Sequence, residues 1–196
     1  MAHNPRPDPL SWDKIQLAER RGDFAWTLSR VAWDLFITLS FRDPVPRPAV
    51  CHGMAYRFFR AAGGICAVPY NRLLIALRGE LGEINGRFHF HALLGGTTAR
   101  NTITLSHQLE RQWRMISGNA IPQVRPYDRT LAGADYVCKC LGANRYELGK
   151  YNLADEVTLS HSVLAVIRAM DAKGDRRRDE LTRKNGQVMK ASGPNG

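Results

Sequence analysis

The order of the apolar segments along the chain constrains the fold more than any other feature of the sequence. The aromatic and β-branched run WDLFITLSF, at residues 33–41, predicts a buried strand that ends at a turn containing Pro44. Residues 49–62 place apolar side chains on one helical face, and Gly63 and Gly64 follow them. We therefore expect a helix that stops at these two glycines.

A strand pair, a second helix and a further strand come next. Two apolar stretches, 72–78 and 87–94, are joined by the segment GELGEING, which predicts an antiparallel hairpin with a long loop. Residues 102–116 repeat apolar side chains at helical spacing and precede Gly118, so they predict an amphipathic helix. A short strand is expected at 120–125.

The resulting order of strand, helix, strand, strand, helix and strand is that of the split ferredoxin-like arrangement. It predicts an α+β fold in which an antiparallel sheet of about five strands carries helices mainly on one face. Three further helices are expected, at 11–31, 132–141 and 163–170.

The composition fits one domain with an extension at each end. Residues 31–170 hold the main predicted elements without an internal repeat or a long linker, and they are expected to form the domain. Residues 1–30 begin with a proline-rich polar stretch and are expected to be a partly helical extension. Residues 171–196 are basic, with almost no large apolar side chain, and are expected to be a disordered tail.

The charge balance narrows the class of partner. The chain has 28 Lys and Arg against 18 Asp and Glu, a net charge of +10, which favours a polyanionic partner. No apolar run approaches the roughly 20 residues needed to span a bilayer, and none resembles a signal peptide, so the sequence predicts a cytoplasmic protein with no membrane partner. The four cysteines include no CxxC pair and are expected to be buried, reduced thiols.

Two histidines in the second strand of the hairpin are candidate metal ligands. Because strand side chains alternate, His89 and His91 project from one face while Phe90 points to the other, and such a pair can chelate one divalent ion. Alternatively, they are unrelated polar residues on a solvent-exposed face. Glu80 lies nine residues before His89, where the hairpin register would bring its carboxylate beside the imidazoles, and Glu83 in the loop is the competing third ligand. Mixed oxygen and nitrogen ligation suits Mg²⁺ or Mn²⁺ at a phosphate.

Tyr136 and Lys139, in the segment ADYVCKCL, form a second constellation. Positions three apart on a helix share a face, so the phenol and the ammonium can reach one phosphate. A phenol is a weak nucleophile at neutral pH and needs a nearby cation or a polarised phosphate. The alternative is a buried tyrosine beside an exposed lysine on an ordinary amphipathic helix.

Together these segments resemble the motifs of the HUH endonuclease superfamily, which includes replication initiators, relaxases and transposases. FITLSF at 36–41 is similar to the first motif of the family, an apolar strand. HFH at 89–91 is similar to the second, metal-binding motif, and YVCK at 136–139 to the third, which bears the nucleophilic tyrosine. The resemblance covers residues 33–142 and keeps the motifs in the order of the family.

The resemblance implies a DNA nicking and joining cycle. Glu80, His89 and His91 would hold a divalent metal that polarises the scissile phosphate. Tyr136 would attack the phosphorus, leaving a free 3′-hydroxyl and a 5′-phosphotyrosine bond, while Lys139 neutralises the charge that develops on the phosphoryl oxygens. Because the phosphotyrosine preserves the bond energy, a later 3′-hydroxyl can reverse the reaction and join strands.

One position departs from the pattern of many phage and plasmid initiators, which carry a second tyrosine four residues after the first. Cys140 stands there in this chain, so a single nucleophile is expected, with Tyr146 and Tyr151 left open as stand-ins.

The resemblance implies a rolling-circle replication initiator of a plasmid or phage, acting on single-stranded or hairpin origin DNA. The sequence holds no P-loop motif, so the initiator would depend on a separate host helicase, together with a host polymerase. One alternative is a single-tyrosine HUH transposase, although those enzymes commonly have Gln where Lys139 stands. The other alternative is a non-catalytic domain that binds single-stranded nucleic acid.

Five arginines near the predicted strand ends are candidate contacts to the DNA backbone. They are Arg42, Arg72, Arg78, Arg87 and Arg125.

Overall fold

The computed structural model describes residues 23–81, 87–98, 101–131, 133–138 and 157–174. The first part of the predicted N-terminal helix lies outside the described residues, and so does the predicted basic tail from residue 175 onward. The first four residues of that tail, 171–174, are helical and end the last helix.

Five strands form a single antiparallel sheet in the order β4-β1-β3-β2-β5. They are β1 (Trp33–Ser40), β2 (Leu74–Leu81), β3 (Phe88–Gly95), β4 (Gln123–Pro126) and β5 (Thr158–Leu159). The chain passes through the first four strands in the split ferredoxin-like sequence, and the predicted α+β class is confirmed. β5 pairs with β2 and is an edge strand that no sequence pattern indicates.

Two long helices cover one face of this sheet. The helices are α1 (23–29), α2 (Pro48–Ile65), α3 (Thr102–Ser117), α4 (Gly133–Cys138) and α5 (161–174). Phe58 of α2 packs edge-on against Trp113 of α3, with the ring centroids 5.6 Å apart. Both rings belong to the larger apolar core, together with Ile37 of β1 and Phe90 of β3. As predicted, the two helices that bury most of the core, α2 and α3, lie on the same face of the sheet.

A smaller apolar cluster lies on the opposite face. Leu28 of α1, Val137 of α4 and Val163 of α5 pack there with Ala76 of β2 and Leu93 of β3. Because strand side chains alternate, the face that carries Ala76 and Leu93 is also the one that carries Glu80, His89 and His91. α1, α4 and α5 therefore cover one end of the face on which the predicted ligands lie.

The end of α2 corrects one prediction. The helix does not stop at Gly63 and Gly64 but continues to Ile65, and the left-handed residue after it is Ala67, with φ of 52°. A side chain at Gly63 would bring its Cβ to 3.0 Å from the carbonyl oxygen of Val68. Gly63 is therefore a residue of the helix, and its missing side chain leaves room for residue 68 to pack against the last turn.

The end of α3 agrees with its prediction. Gly118 follows the helix with φ of 69°, and its N–H donates to the carbonyl of Arg114. At the other end, the Asn101 side chain accepts hydrogen bonds from the N–H groups of Ile103 and Thr104. Both caps satisfy backbone groups that the helix itself leaves without partners.

No helix in the described ranges combines the length and apolar character needed to cross a membrane. The cysteines of these ranges, Cys51, Cys66 and Cys138, are buried thiols, as predicted. Burial raises the pKa of the Cys51 and Cys66 thiols to about 11, so both stay protonated at neutral pH.

Candidate metal centre

The pairing of β2 with β3 brings the three predicted ligands together. In this antiparallel register Glu80 lies directly opposite His89, and Arg78 lies directly opposite His91. Side chains two apart on a strand share a face, so Glu80, His89 and His91 project from the same side of the sheet. The hairpin expected from the sequence thus places the carboxylate beside both imidazoles.

The three side chains meet at nearly equal distances. Oε1 of Glu80 is 3.0 Å from Nε2 of His89 and 2.9 Å from Nε2 of His91. The two Nε2 atoms are themselves 2.9 Å apart. His91 and Glu80 are each 4% exposed, and His89 is partly buried.

Hydrogen bonds on the far side of each ring orient the histidines. Nδ1 of His89 lies 3.1 Å from the carbonyl oxygen of Arg87. Because a carbonyl can only accept, Nδ1 carries the proton and Nε2 presents a lone pair to the cluster. Nδ1 of His91 lies 3.0 Å from the hydroxyl of Thr38 on β1, which can accept in the same way. A metal-binding histidine is ordinarily held by such a partner.

The chemistry of the cluster fits a divalent cation. A carboxylate oxygen and two imidazole lone pairs repel one another at 3 Å unless a proton or a metal ion lies between them. Adjacent ligands of an octahedral ion, each held at about 2.1 Å, lie about 3.0 Å apart, and the three distances here match one face of such an octahedron. Glu80, His89 and His91 are also the group of potential ligands that the described ranges bring within 4.8 Å of one another.

Tyr136 lies on the same side of the sheet as the cluster. It belongs to α4, and its ring packs edge-on against His91 with the centroids 4.7 Å apart. The Phe36 ring contacts both, at 5.8 Å from Tyr136 and 5.7 Å from His91. The Tyr136 side chain is still 43% exposed, so one side of it is open to a ligand.

The packing of α4 explains why Tyr136 faces the cluster. Ala134, Val137 and Cys138 are buried in the smaller apolar cluster, which fixes the rotation of this short helix. At its start, a Cβ on Gly133 would lie 2.8 Å from the ring of Tyr127, so only glycine allows this close approach.

Several sequence-predicted residues lie outside the described residues. They are Glu83, Lys139, Cys140, Tyr146 and Tyr151. Between the two candidates for the third ligand, the register therefore supports Glu80 directly and gives no position for Glu83.

Two open clefts meet at the cluster. The first, of about 510 Å³, is lined by His91, Tyr136 and Arg125, and it is largely apolar around Phe36 and Tyr127. The second, of about 640 Å³, is lined by basic and polar side chains that include His89, Arg42 and Arg87. The two clefts share Ser40 and Ile121, so together they form one groove that passes over the cluster.

The five predicted arginines divide into two groups. Arg42, Arg87 and Arg125 are exposed and line this groove, where Arg87 forms an ion pair with Asp43. Arg42 donates to the carbonyl of Gly118 at 3.3 Å.

The other two arginines do not line the groove. Arg78 is 1% exposed, opposite His91 in the register, and so lies within the protein. Arg72 is exposed but precedes β2, at the end of that strand far from Glu80.

Sequence reasoning missed the role of Thr38. The signal is present, since Thr38 is one of three polar residues, with Asp34 and Ser40, that alternate with buried apolar ones in β1. Their alternation marks one face of the strand as different. It does not show that β1 pairs with β3, and that pairing sets Thr38 opposite His91.

Comparisons of the chain with protein families, with curated proteins and with solved structures find no match. The geometry of this centre and the motifs of the sequence are therefore what indicate the function of the chain.

Proposed function

We propose that this chain is a metal-dependent HUH-type endonuclease that nicks and joins single-stranded DNA through a covalent bond to Tyr136. The observation that carries the proposal is the contact between Tyr136 and His91, because His91 also presents Nε2 to the ligand cluster. A nucleophile and a metal-binding group in one contact are what phosphodiester transfer through an enzyme side chain requires.

The ligand cluster supplies the site for a divalent ion. Glu80, His89 and His91 would hold Mg²⁺ or Mn²⁺ on one face, and the ion when bound would polarise the scissile phosphate. The Arg87 carbonyl holds His89 in the ligating tautomer, and the Thr38 hydroxyl can accept from Nδ1 of His91 to do the same for that ring.

Tyr136 would be the nucleophile. Its oxygen attacks the phosphorus and the bond from phosphorus to the 3′ oxygen breaks. The phenolic proton passes through solvent to that oxygen, which leaves as a 3′-hydroxyl. The product is a 5′-phosphotyrosine, and the reverse attack by a 3′-hydroxyl rejoins a strand. We assign Lys139, three residues after Tyr136, to the phosphoryl charge on the basis of the sequence motif alone.

The groove supports a single strand as the substrate. Its apolar cleft offers rings on which unpaired bases can stack, and its basic cleft offers Arg42 and Arg87 to backbone phosphates. The net charge of +10 acts in the same direction. Initiation of rolling-circle replication, with a separate helicase and polymerase, is the role we propose for this activity, and transposition is the rival use of the same chemistry.

A covalent-capture experiment tests the proposal without knowledge of the target sequence. The protein is incubated with a random-sequence pool of single-stranded DNA and Mn²⁺, and adducts that survive denaturing gel electrophoresis are isolated and sequenced. We expect adducts from the wild-type chain, mapped to Tyr136 by mass spectrometry, and none from Tyr136→Phe or after chelation of the metal.

Tyr56→Phe is the matched control, because Tyr56 is an exposed tyrosine of α2, on the other side of the sheet, and its substitution should leave the adduct intact. An adduct that persists in Tyr136→Phe would contradict the assignment of the nucleophile. Tight DNA binding with no adduct from any member of the pool would favour the non-catalytic alternative.

A further inference from the structure

A third cleft, which we call the distal cleft, opens on the side of the sheet opposite the metal centre. It measures about 340 Å³ and lies between α2 and the edge strand β5. Ile75 and Leu77 of β2 form its floor, whereas their neighbours Ala76 and Arg78 point to the metal side. It shares no lining residue with the groove that passes over the metal centre.

Two exposed tyrosines form a corner at the distal cleft. Tyr56 of α2 is 52% exposed and Tyr70 is 36% exposed, and their rings meet edge-on with the centroids 5.7 Å apart. The Arg60 guanidinium carbon lies 5.8 Å from the centre of the Tyr56 ring. Large rings that keep this much open surface on a folded protein are available to stack on a flat partner.

The charge around the corner is positive. Residues 48–77 and 157–164, which include every lining residue of the cleft, contain no aspartate or glutamate. They contain Arg57, Arg60 and Arg72, all exposed. A ligand that brings negative charge alongside a flat ring matches this surface best.

Polar groups complete the lining of the distal cleft. Burial lowers the pKa of His52, so its imidazole is neutral at pH 7 and offers one donor and one acceptor. Asn71 and His161 are exposed on the same rim. These groups can hydrogen-bond to the edge of a base without demanding one particular base.

We propose that the distal cleft binds an unpaired nucleotide of single-stranded DNA, with its base stacked at the corner of Tyr56 and Tyr70 and its phosphate beside Arg60. The inference rests on the proposed function only for the kind of ligand, since the two sites lie on opposite sides of the sheet. A strand long enough to reach both would therefore be held at a second point, away from the metal centre.

Binding measured with the metal removed tests this inference independently of catalysis. Fluorescence anisotropy in EDTA compares a 30-nucleotide mixed-sequence strand on the full chain and on the double variant Tyr56→Ala/Tyr70→Ala. We expect the double variant to bind about tenfold more weakly, because stacking on an aromatic ring contributes strongly for each base. The matched control, Tyr56→Phe/Tyr70→Phe, keeps both rings and should bind within about twofold of wild type.

Photocrosslinking locates the contact. The same strand carrying 5-iodouracil should crosslink to the tryptic peptides that contain Tyr56 or Tyr70. Equal affinity of the alanine variant and wild type would overturn the inference, and so would crosslinks confined to the groove of the metal centre. Because both tyrosines are exposed, the alanine variant should keep the melting temperature of wild type, so a loss of affinity reports on the cleft. The covalent adduct on Tyr136 is measured separately, so the distal cleft could fail to bind DNA while the proposed nicking activity is still observed.

Discussion

Thr38 sets the orientation of His91 and is the residue through which the centre can be weakened without removing a ligand. Its hydroxyl lies 3.0 Å from Nδ1 of His91, on the side of the ring away from Glu80. Thr38→Val keeps the shape of the side chain and removes the hydrogen bond. We expect the variant to bind Mn²⁺ at least about tenfold more weakly by isothermal titration calorimetry, since partners of this kind hold the ring and its tautomer.

The control for this substitution is Thr38→Ser, which keeps a hydroxyl at the same position and should keep most of the affinity. Equal affinity of the valine variant and wild type would show that the packing of Phe36 on His91 is enough to orient the ring.

Among the elements, α3 depends on a cap at its first turn. Asn101 accepts from the N–H groups of Ile103 and Thr104 at 3.0 and 3.1 Å. Asn101→Ala leaves these donors to water, and we expect it to lower the free energy of unfolding by about 1 kcal/mol in urea denaturation. Asn101→Asp keeps an acceptor and should cost less, so a similar loss in both variants would contradict the capping role.

The hairpin shows how far the sequence can predict the candidate site. Alternation assigned His89 and His91 to one face, and the position of Glu80 at the end of the preceding strand predicted the pairing that the structure shows. These are local features, because a hairpin brings together residues that are close in the chain. Glu80, His89 and His91 could therefore be found from sequence alone.

Contacts between distant segments could not be predicted in the same way. The pairing of β5 with β2 joins residues more than 80 apart, and its two residues carry no strand pattern of their own. The position of Arg78 within the protein has a similar cause, since an arginine in a strand gives no sign of what will cover it. At Gly63 the local rule predicted a helix stop, and packing against Val68 prevailed.

At the scale of the whole molecule, the sheet has the larger apolar core on one face and the candidate metal centre on the other. α2 and α3 bury the larger core on one side, which leaves the ligand cluster supported from beneath by residues that take no part in it. On the other side α1, α4 and α5 cover the end around Ala76 and Leu93, and the groove stays open beside the cluster. Because the larger core on the side of α2 and α3 provides most of the stability of the fold, the other face can hold three ligand groups at close range.

We expect metal binding at this centre to stabilise the whole fold. Only the native register of β2 and β3 brings Glu80 within 3.0 Å of both histidines, so an ion that binds there favours the folded state over the unfolded chain. At a free Mn²⁺ concentration of 100 times Kd the gain is about 2.7 kcal/mol, or roughly 5–10 °C in melting temperature for a chain of this size. Differential scanning calorimetry with and without Mn²⁺ measures the shift. Glu80→Gln keeps the shape of the ligand but removes its charge, so the metal-induced shift should largely disappear; an undiminished shift in this variant would mean that the ion stabilises the protein from a different site.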